Sequence, residues 1–179
     1  MKIIAGKYKN RILAGPKHIR PTQDSVKKSL FDILGDIAGL SFLDLYAGSG
    51  SIGIEALSRG ADKVCLVESD RGCIRDIGVN LQKLNIGQEC RVVELDAMEA
   101  IKKLHAKLEK FDIIFIDPPY YGDLAKKSLQ TIGAYDILAP CGWIIVQHYK
   151  KDPVSPEEGS FSVFRKTKYG DTFLSFYKR

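Results

Sequence analysis

The sequence predicts a doubly wound α/β fold, a mostly parallel sheet with helices on its faces and an antiparallel hairpin at its C-terminal end. Three observations predict it. Between residues 40 and 149, short apolar runs alternate with segments of helical periodicity. The first run leads into Gly48-Ser49-Gly50-Ser51-Ile52-Gly53, a GxGxxG turn of the kind that opens a helix after a strand. The fourth run stops at Asp117-Pro118-Pro119-Tyr120. Two consecutive prolines cannot donate to a sheet ladder, so they end the strand and stiffen the chain just beyond it.

The elements run in order along the chain. Lys2–Ala5 and Arg11–Ala14 read as two short extended pieces around a polar turn. Pro21-Thr22 opens a helix, with Thr22 as N-cap and Asp24 in its first turn, and Val26, Leu30, Phe31, Ile33 and Leu34 form its apolar face. Leu40–Tyr46 is the first strand of the sheet. Ser51–Arg59 is a helix stopped by Gly60. Lys63–Glu68 is a strand and Asp70–Leu84 a helix, with Ile74, Ile77, Leu81 and Leu84 on one face. Arg91–Leu95 is the third strand, and Met98–Leu108 a helix with Met98, Ile101, Leu104 and Leu108 apolar. Phe111–Ile116 is apolar apart from Asp112, as a strand buried on both faces must be. Leu124–Leu138 is helical, Gly142–Tyr149 a fifth strand, and Pro153–Gly159 a loop. Ser160–Phe164 and Thr172–Tyr177 then form the hairpin around Tyr169-Gly170-Asp171.

The 179 residues bound one domain with a small appendage, divided here into a basic N-terminal extension, 1–38, and the α/β domain, 39–179. No apolar stretch approaches the ~18 residues of a membrane span. The first seven residues are too short and too basic for a signal peptide. The cysteines form no CxxC pair and no histidine accompanies them, so a reduced, cytoplasmic protein without a metal site is expected, with Cys65 and Cys90 in the core. Charge is unevenly spread. Residues 1–30 carry eight Lys/Arg against Asp24 alone, whereas acids outnumber bases over 31–149. A basic arm on an acidic body points to a polyanionic partner, and Lys7, Lys9, Arg11 and Lys17 are the candidate RNA contacts.

The chemistry gathers at strand ends. Gly48 and Gly50 allow a tight turn and close approach of a ligand to the backbone. Asp44, four residues ahead of Gly48, suits a positively charged ligand better than a pyrophosphate; it could equally cap nearby amides. Glu68 ends the second strand about twenty residues after the glycines, where an acid binds ribose hydroxyls. Asp96 ends the third strand and fits either an amino-group acceptor or a helix N-cap. Asp117, the proline carbonyls and the Tyr120 ring together suit a planar base bearing an amino group. The literal GxGxxG leaves a nicotinamide-dependent oxidoreductase as an alternative, and the basic arm alone would allow an RNA-binding module without activity.

With these segments assembled, the chain resembles the RsmD (YhhF) family of small-subunit rRNA guanine-N2 methyltransferases. The resemblance is carried by Arg20-Pro21-Thr22-x-Asp24-x-Val26 with Leu30-Phe31, by Leu43-Asp44-x-x-Ala47-Gly48-Ser49-Gly50, by Glu55–Ala61, by Glu68-x-Asp70, by Asp117–Tyr120 and by Tyr169-Gly170-Asp171-Thr172. It implies a Rossmann-like methyltransferase domain that uses S-adenosylmethionine on a guanine amino group of 16S rRNA, as naked RNA or in an assembling small subunit, in a monomeric protein away from membranes. Asp44, Tyr46, Ala47, Gly48 and Gly50 would cradle the donor, Glu68 and Ser69 its ribose, and Asp96 and Ala97 its adenine. Arg20 and Thr22 would close over its methionine end. Asp117, Pro118, Pro119 and Tyr120 would form the catalytic bracket. The chain departs from the family where Ser25, Lys27 and Lys28 replace the usual Arg, Arg and Glu, and where Gln147 replaces Glu. The nearest rival within the class is an adenine-N6 methyltransferase, which presents an exocyclic amine to the same kind of tetrapeptide.

Overall fold

The computed structural model describes residues 1–15, 24–119 and 122–179. These form two compact units, Met1–Leu95 and Asp96–Arg179. Arg20, Thr22, Lys17 and Tyr120 lie outside the described residues, as does the expected Thr22 cap.

In the first unit, α1 (Asp24–Leu34) precedes β1 (Ser41–Leu45), α2 (Ser51–Ser58), β2 (Lys63–Glu68), α3 (Arg71–Leu84) and β3 (Cys90–Glu94). The strands lie side by side in the order β3-β2-β1, all parallel, with Asp44 opposite Leu66 and Val67 opposite Val93. Phe42, Leu43 and Leu45 are wholly buried, because helices connect parallel strands and cover their faces. The N-terminal arm pairs through a single antiparallel bridge, Lys2 with Ile12, rather than through two full strands. Side chains hold it in place. Glu55, with no exposed surface, accepts the Ile4 and Ala5 amides at 2.7 and 3.0 Å. Ser58 Oγ accepts the Tyr8 amide at 2.9 Å.

The departure at Lys27 finds its reason here. Its side chain is buried and its Nζ donates to the Lys2 carbonyl at 2.6 Å, tying α1 to the arm. Burial pulls the Lys27 ammonium below its ordinary range, and Glu55 and Asp24 partly offset this. Lys28 instead pairs along its own helix with Asp32.

In the second unit, α4 (Ala97–Ala106), β4 (Phe111–Ile116), α5 (Leu124–Tyr135) and β5 (Leu138–Tyr149) lead to β6 (Glu157–Glu158), β7 (Phe161–Tyr169) and β8 (Thr172–Lys178). The order is β4-β5-β8-β7-β6; β4 and β5 are parallel and the remaining pairs antiparallel. Several boundaries differ from expectation. Leu138 begins β5 instead of ending α5, since Asp136 in the left-handed region (φ 46°) stops the helix. Leu108 is not on the buried stripe of α4. It lies beyond the helix end at φ 58°, 86% exposed, and Ala97, Ala100, Ile101 and Leu104 do the packing. The first hairpin strand runs the full length of β7, because cross-strand pairing with β8 continues to Tyr169 opposite Thr172. The expected loop before it contains the two-residue β6.

Candidate active site

Tyr46 leaves β1 with φ 65°, a left-handed conformation that an aromatic residue adopts only when its surroundings enforce it, at a cost of about 1–3 kcal/mol. Gly48 (φ 55°) and Gly50 (φ 77°) complete the turn, and a Cβ on Gly48 would meet no atom of the other described residues within 4 Å. Those residues leave the backbone there open. Gly53 answers a different need. A Cβ on it would come within 2.3 Å of Leu66 and 2.9 Å of Val64, so only glycine lets α2 lie this close to β2.

Asp44 stands near the end of β1. Its carboxylate is buried and Oδ2 accepts the Gly53 amide at 3.1 Å. The Gly50 N-cap of α2 contributes no side-chain cap, so a strand residue supplies the acceptor that the helix start requires. Glu68 is similarly engaged. One oxygen accepts the Gly48 amide at 2.7 Å, and the other accepts Ser69 and Asp70 amides, each at 2.8 Å. Glu68 thereby fixes the height of the glycine turn against the end of β2, with Ser69 beside it. The Asp70 side chain caps α3 through the Cys73 amide at 2.8 Å.

Asn80 was not legible as part of this site. It lies on the buried stripe of α3 with Cys73, Ile77 and Leu84. Its side-chain amide accepts from Ala14 N–H at 2.8 Å and donates to the carbonyls of Ala14 (3.0 Å) and Ser49 (3.1 Å). It joins the N-terminal arm to the glycine turn. A polar residue at an apolar-stripe position is the signal that could have found it. Burial pushes the Cys73 thiol on the same stripe up to about 12, so it stays protonated.

In the second unit, Asp96 is exposed and caps α4, accepting the Met98 amide at 2.8 Å, with Ala97 buried beside it. At the end of β4, Asp117 is half-buried, Pro118 buried and Pro119 exposed. The register of Ile116 with Val146 sets Asp117 beside Gln147, whose Nε2 donates to Asp117 Oδ2 at 2.9 Å. A glutamine suits this position because its amide donates to the carboxylate. Lys7, Lys9 and Arg11 are exposed in the first unit, and an Arg11 guanidinium nitrogen reaches the Lys83 carbonyl at 3.3 Å. Among the described residues no group of His, Cys, Asp or Glu could hold a metal ion, and no helix is long and apolar enough to cross a membrane.

Parallel strands whose carboxyl ends carry a glycine turn and acidic side chains, followed by an antiparallel hairpin, are the frame of the Rossmann-like methyltransferases. The yhhF protein of Escherichia coli has this fold at a TM-score of 0.87 and 31% identity, over 100% of this chain and 97% of its own. SMU.776, solved in complex with S-adenosylhomocysteine, shares the fold alone, at a TM-score of 0.70 and 17% identity over 87% of this chain and 48% of its own. A family model described as conserved hypothetical protein 95 matches residues 1–178, and the chain belongs to that family, the RsmD family. Ribosomal RNA small subunit methyltransferase D of Haemophilus influenzae is 35% identical over 88% of this chain and 83% of its own length.

Proposed function

We propose that the protein transfers a methyl group from S-adenosylmethionine to the exocyclic N2 amino group of a guanine in small-subunit (16S) rRNA. The observation that carries the reading is Asp117, held by Gln147 at the end of β4 and followed at once by Pro118 and Pro119. Prolines keep the chain rigid there, so the carboxylate and the backbone carbonyls beside it would be held in place to accept from an amine. The names of the relatives support methylation of rRNA.

The residues of the first unit fit the donor. The open backbone at Gly48 admits close approach, and Glu68 accepts at the end of β2, where a ribose diol is bound in folds of this kind. Asp44, Tyr46, Ala47, Gly48 and Gly50 would hold the methionine end, with Arg20 and Thr22 over it. Glu68 and Ser69 would take the ribose, and Asp96 and Ala97 the adenine. When bound, the donor supplies a methyl group activated on a positive sulfur.

The protein's own part is to position the acceptor. The guanine leaves its stack at a cost of a few kcal/mol, and stacking on Tyr120 returns about 1–3 kcal/mol. Asp117 and a proline-bracket carbonyl accept hydrogen bonds from the amine and orient its lone pair. The nitrogen becomes strongly acidic as it gains the methyl group, so Asp117 can take the proton after transfer and no prior base is required. Residues 1–38 act as the basic extension, with Lys7, Lys9, Arg11 and Lys17 toward the RNA, and residues 39–179 carry the transfer. The protein acts as a cytoplasmic monomer on the rRNA or on the assembling subunit.

The test is labelled S-adenosylmethionine with naked 16S rRNA and with assembled small subunits. Label should map to one guanine N2. Asp117→Ala should abolish transfer while calorimetry still detects donor binding. Label on an adenine N6, or full activity in Asp117→Ala, overturns the proposal.

A further inference from the structure

The motif Tyr169-Gly170-Asp171-Thr172 has no part in the donor site or the Asp117 bracket, yet the strand register brings its two ends to the sheet face of Asp117. Cross-strand partners share a face, and so do residues two apart in one strand. Gln147 bonds to Asp117, and Tyr149 follows Gln147 by two residues in β5. Tyr149 lies opposite Thr172 of β8, and Thr172 lies opposite Tyr169 of β7. Tyr149, Thr172 and Tyr169 therefore form the next row on the face of Asp117 and Gln147, towards the end at which the parallel strands β4 and β5 stop. Tyr149 is one strand spacing across and two residues along from Asp117, or about 8 Å between backbones. Tyr169 is three spacings across, or about 16 Å away.

The row is braced and keeps exposed surface. Gln147 and Leu174, in the row inside it, are buried, whereas Tyr149, Thr172 and Tyr169 are each half-buried. The Tyr149 amide donates to the Asp152 carboxylate at 2.8 Å, and its carbonyl accepts the Asp152 amide at 3.0 Å. Lys150 fastens the hairpin tip to the end of β5. Its amide donates to the Asp171 carbonyl at 2.9 Å and its Nζ pairs with the Asp171 carboxylate at 2.7 Å. That Nζ also stands 5.9 Å from the centroid of the Tyr149 ring. Gly170, at φ 58°, allows the tight turn between Tyr169 and Thr172. A tyrosine has only two side-chain torsions, so rings on a held backbone offer contact area at little cost in entropy.

When a guanine leaves its stack, the base beside it loses a partner, and an aromatic ring can replace that partner. We infer that Tyr149 and Tyr169 stack on bases of the RNA strand flanking the target guanine, Tyr149 on the adjoining nucleotide and Tyr169 on one farther along the same strand. The inference rests on the proposed rRNA methylation. Every base has a π face, so this row holds the strand without reading its sequence, while the Asp117 bracket takes the amine. The contact is uncharged, which distinguishes it from the cations of the N-terminal extension.

Steady-state methylation tests it on naked 16S rRNA or assembled small subunits, whichever the unchanged protein modifies, with Asp117→Ala alongside. Tyr149→Ala and Tyr169→Ala should each raise KM for the RNA about tenfold. Values of kcat and donor Kd should stay within about twofold, and the log–log salt slope should not change, because no phosphate contact is lost. Tyr149→Phe and Tyr169→Phe should restore KM. Tyr149→Leu and Tyr169→Leu should not, since leucine keeps apolar packing but offers no ring. Leucine variants as good as the phenylalanine ones, or phenylalanine variants as poor as the alanine ones, overturn stacking. Unchanged KM in the alanine variants with an inactive Asp117→Ala overturns the aromatic row alone; an active Asp117→Ala overturns the proposed methylation beneath it.

Discussion

Replacing Asn80 by leucine keeps the branched shape of a buried side chain but removes three hydrogen bonds. Ala14 N–H, Ala14 C=O and Ser49 C=O each lose a partner, at present 2.8, 3.0 and 3.1 Å away. At a net value of about 1 kcal/mol for each bond, the contact between arm and glycine turn weakens by about 3 kcal/mol. Asn80→Asp keeps the acceptor for Ala14 N–H but turns both donations into oxygen–oxygen contacts, so it should be at least as damaging despite its size. The loss is local, because the arm can open before the unit unfolds. Hydrogen exchange should show residues 12–15 and 49–50 opening about a hundredfold more readily at 25 °C, with β2 and β3 nearly unchanged. Donor affinity by calorimetry should fall with it, since Ser49 belongs to the turn. Uniform exchange across the unit, or an increase below threefold at residues 12–15 and 49–50, would refute the assignment of Asn80 as the clasp.

Other outcomes rest on single contacts. Gln147→Met should lower kcat about tenfold with KM and melting temperature nearly constant, and should add nothing to Asp117→Asn; additive losses would show that Gln147 does not act through Asp117. His148 is held below its ordinary value chiefly by burial, with Lys166 adding to the effect. Its neutral ring meets the Tyr149 carbonyl at 3.0 Å and Ser175 Oγ at 2.9 Å, with Phe173 stacked on it, and the Asp152 charge acts in the opposite sense to Lys166. The unfolded chain takes up this proton first as pH falls below about 6.5, so the contribution is complete above that value and is lost on acidification. Urea midpoints at pH 7.5 and 5.5 should therefore diverge less in His148→Gln than in the unchanged protein; equal divergence would sink the point.

The order of strands and helices was legible because it depends on periodicity and on local stops. Five apolar runs, the glycines at 48, 50 and 53 and the Pro118-Pro119 pair are features of a few residues each. Lys63–Glu68 and Phe111–Ile116 coincide with their expected bounds. Ends set by pairing were less legible. β7 extends to Tyr169 through a partner strand rather than through its own apolar pattern, which is mostly polar and basic. Leu108 looked buried because it falls four residues after Leu104, and a left-handed residue past the helix end carries it out to solvent.

By itself the sequence determined the class of fold, the turn after β1, the acids at strand ends and the proline stop after β4, since each is encoded in residues near one another. Only the tertiary structure decided which backbone amides those acids accept. Asp44 and Asp96 accept helix amides, and Glu68 ties the glycine turn to β2. It also decided which residues support them: Glu55 on the arm 50 and 51 positions away, Asn80 on Ala14 across 66, and Gln147 on Asp117 across 30. A buried polar group must find a partner, but the chain's local pattern does not say which, because packing brings that partner in from a distant segment.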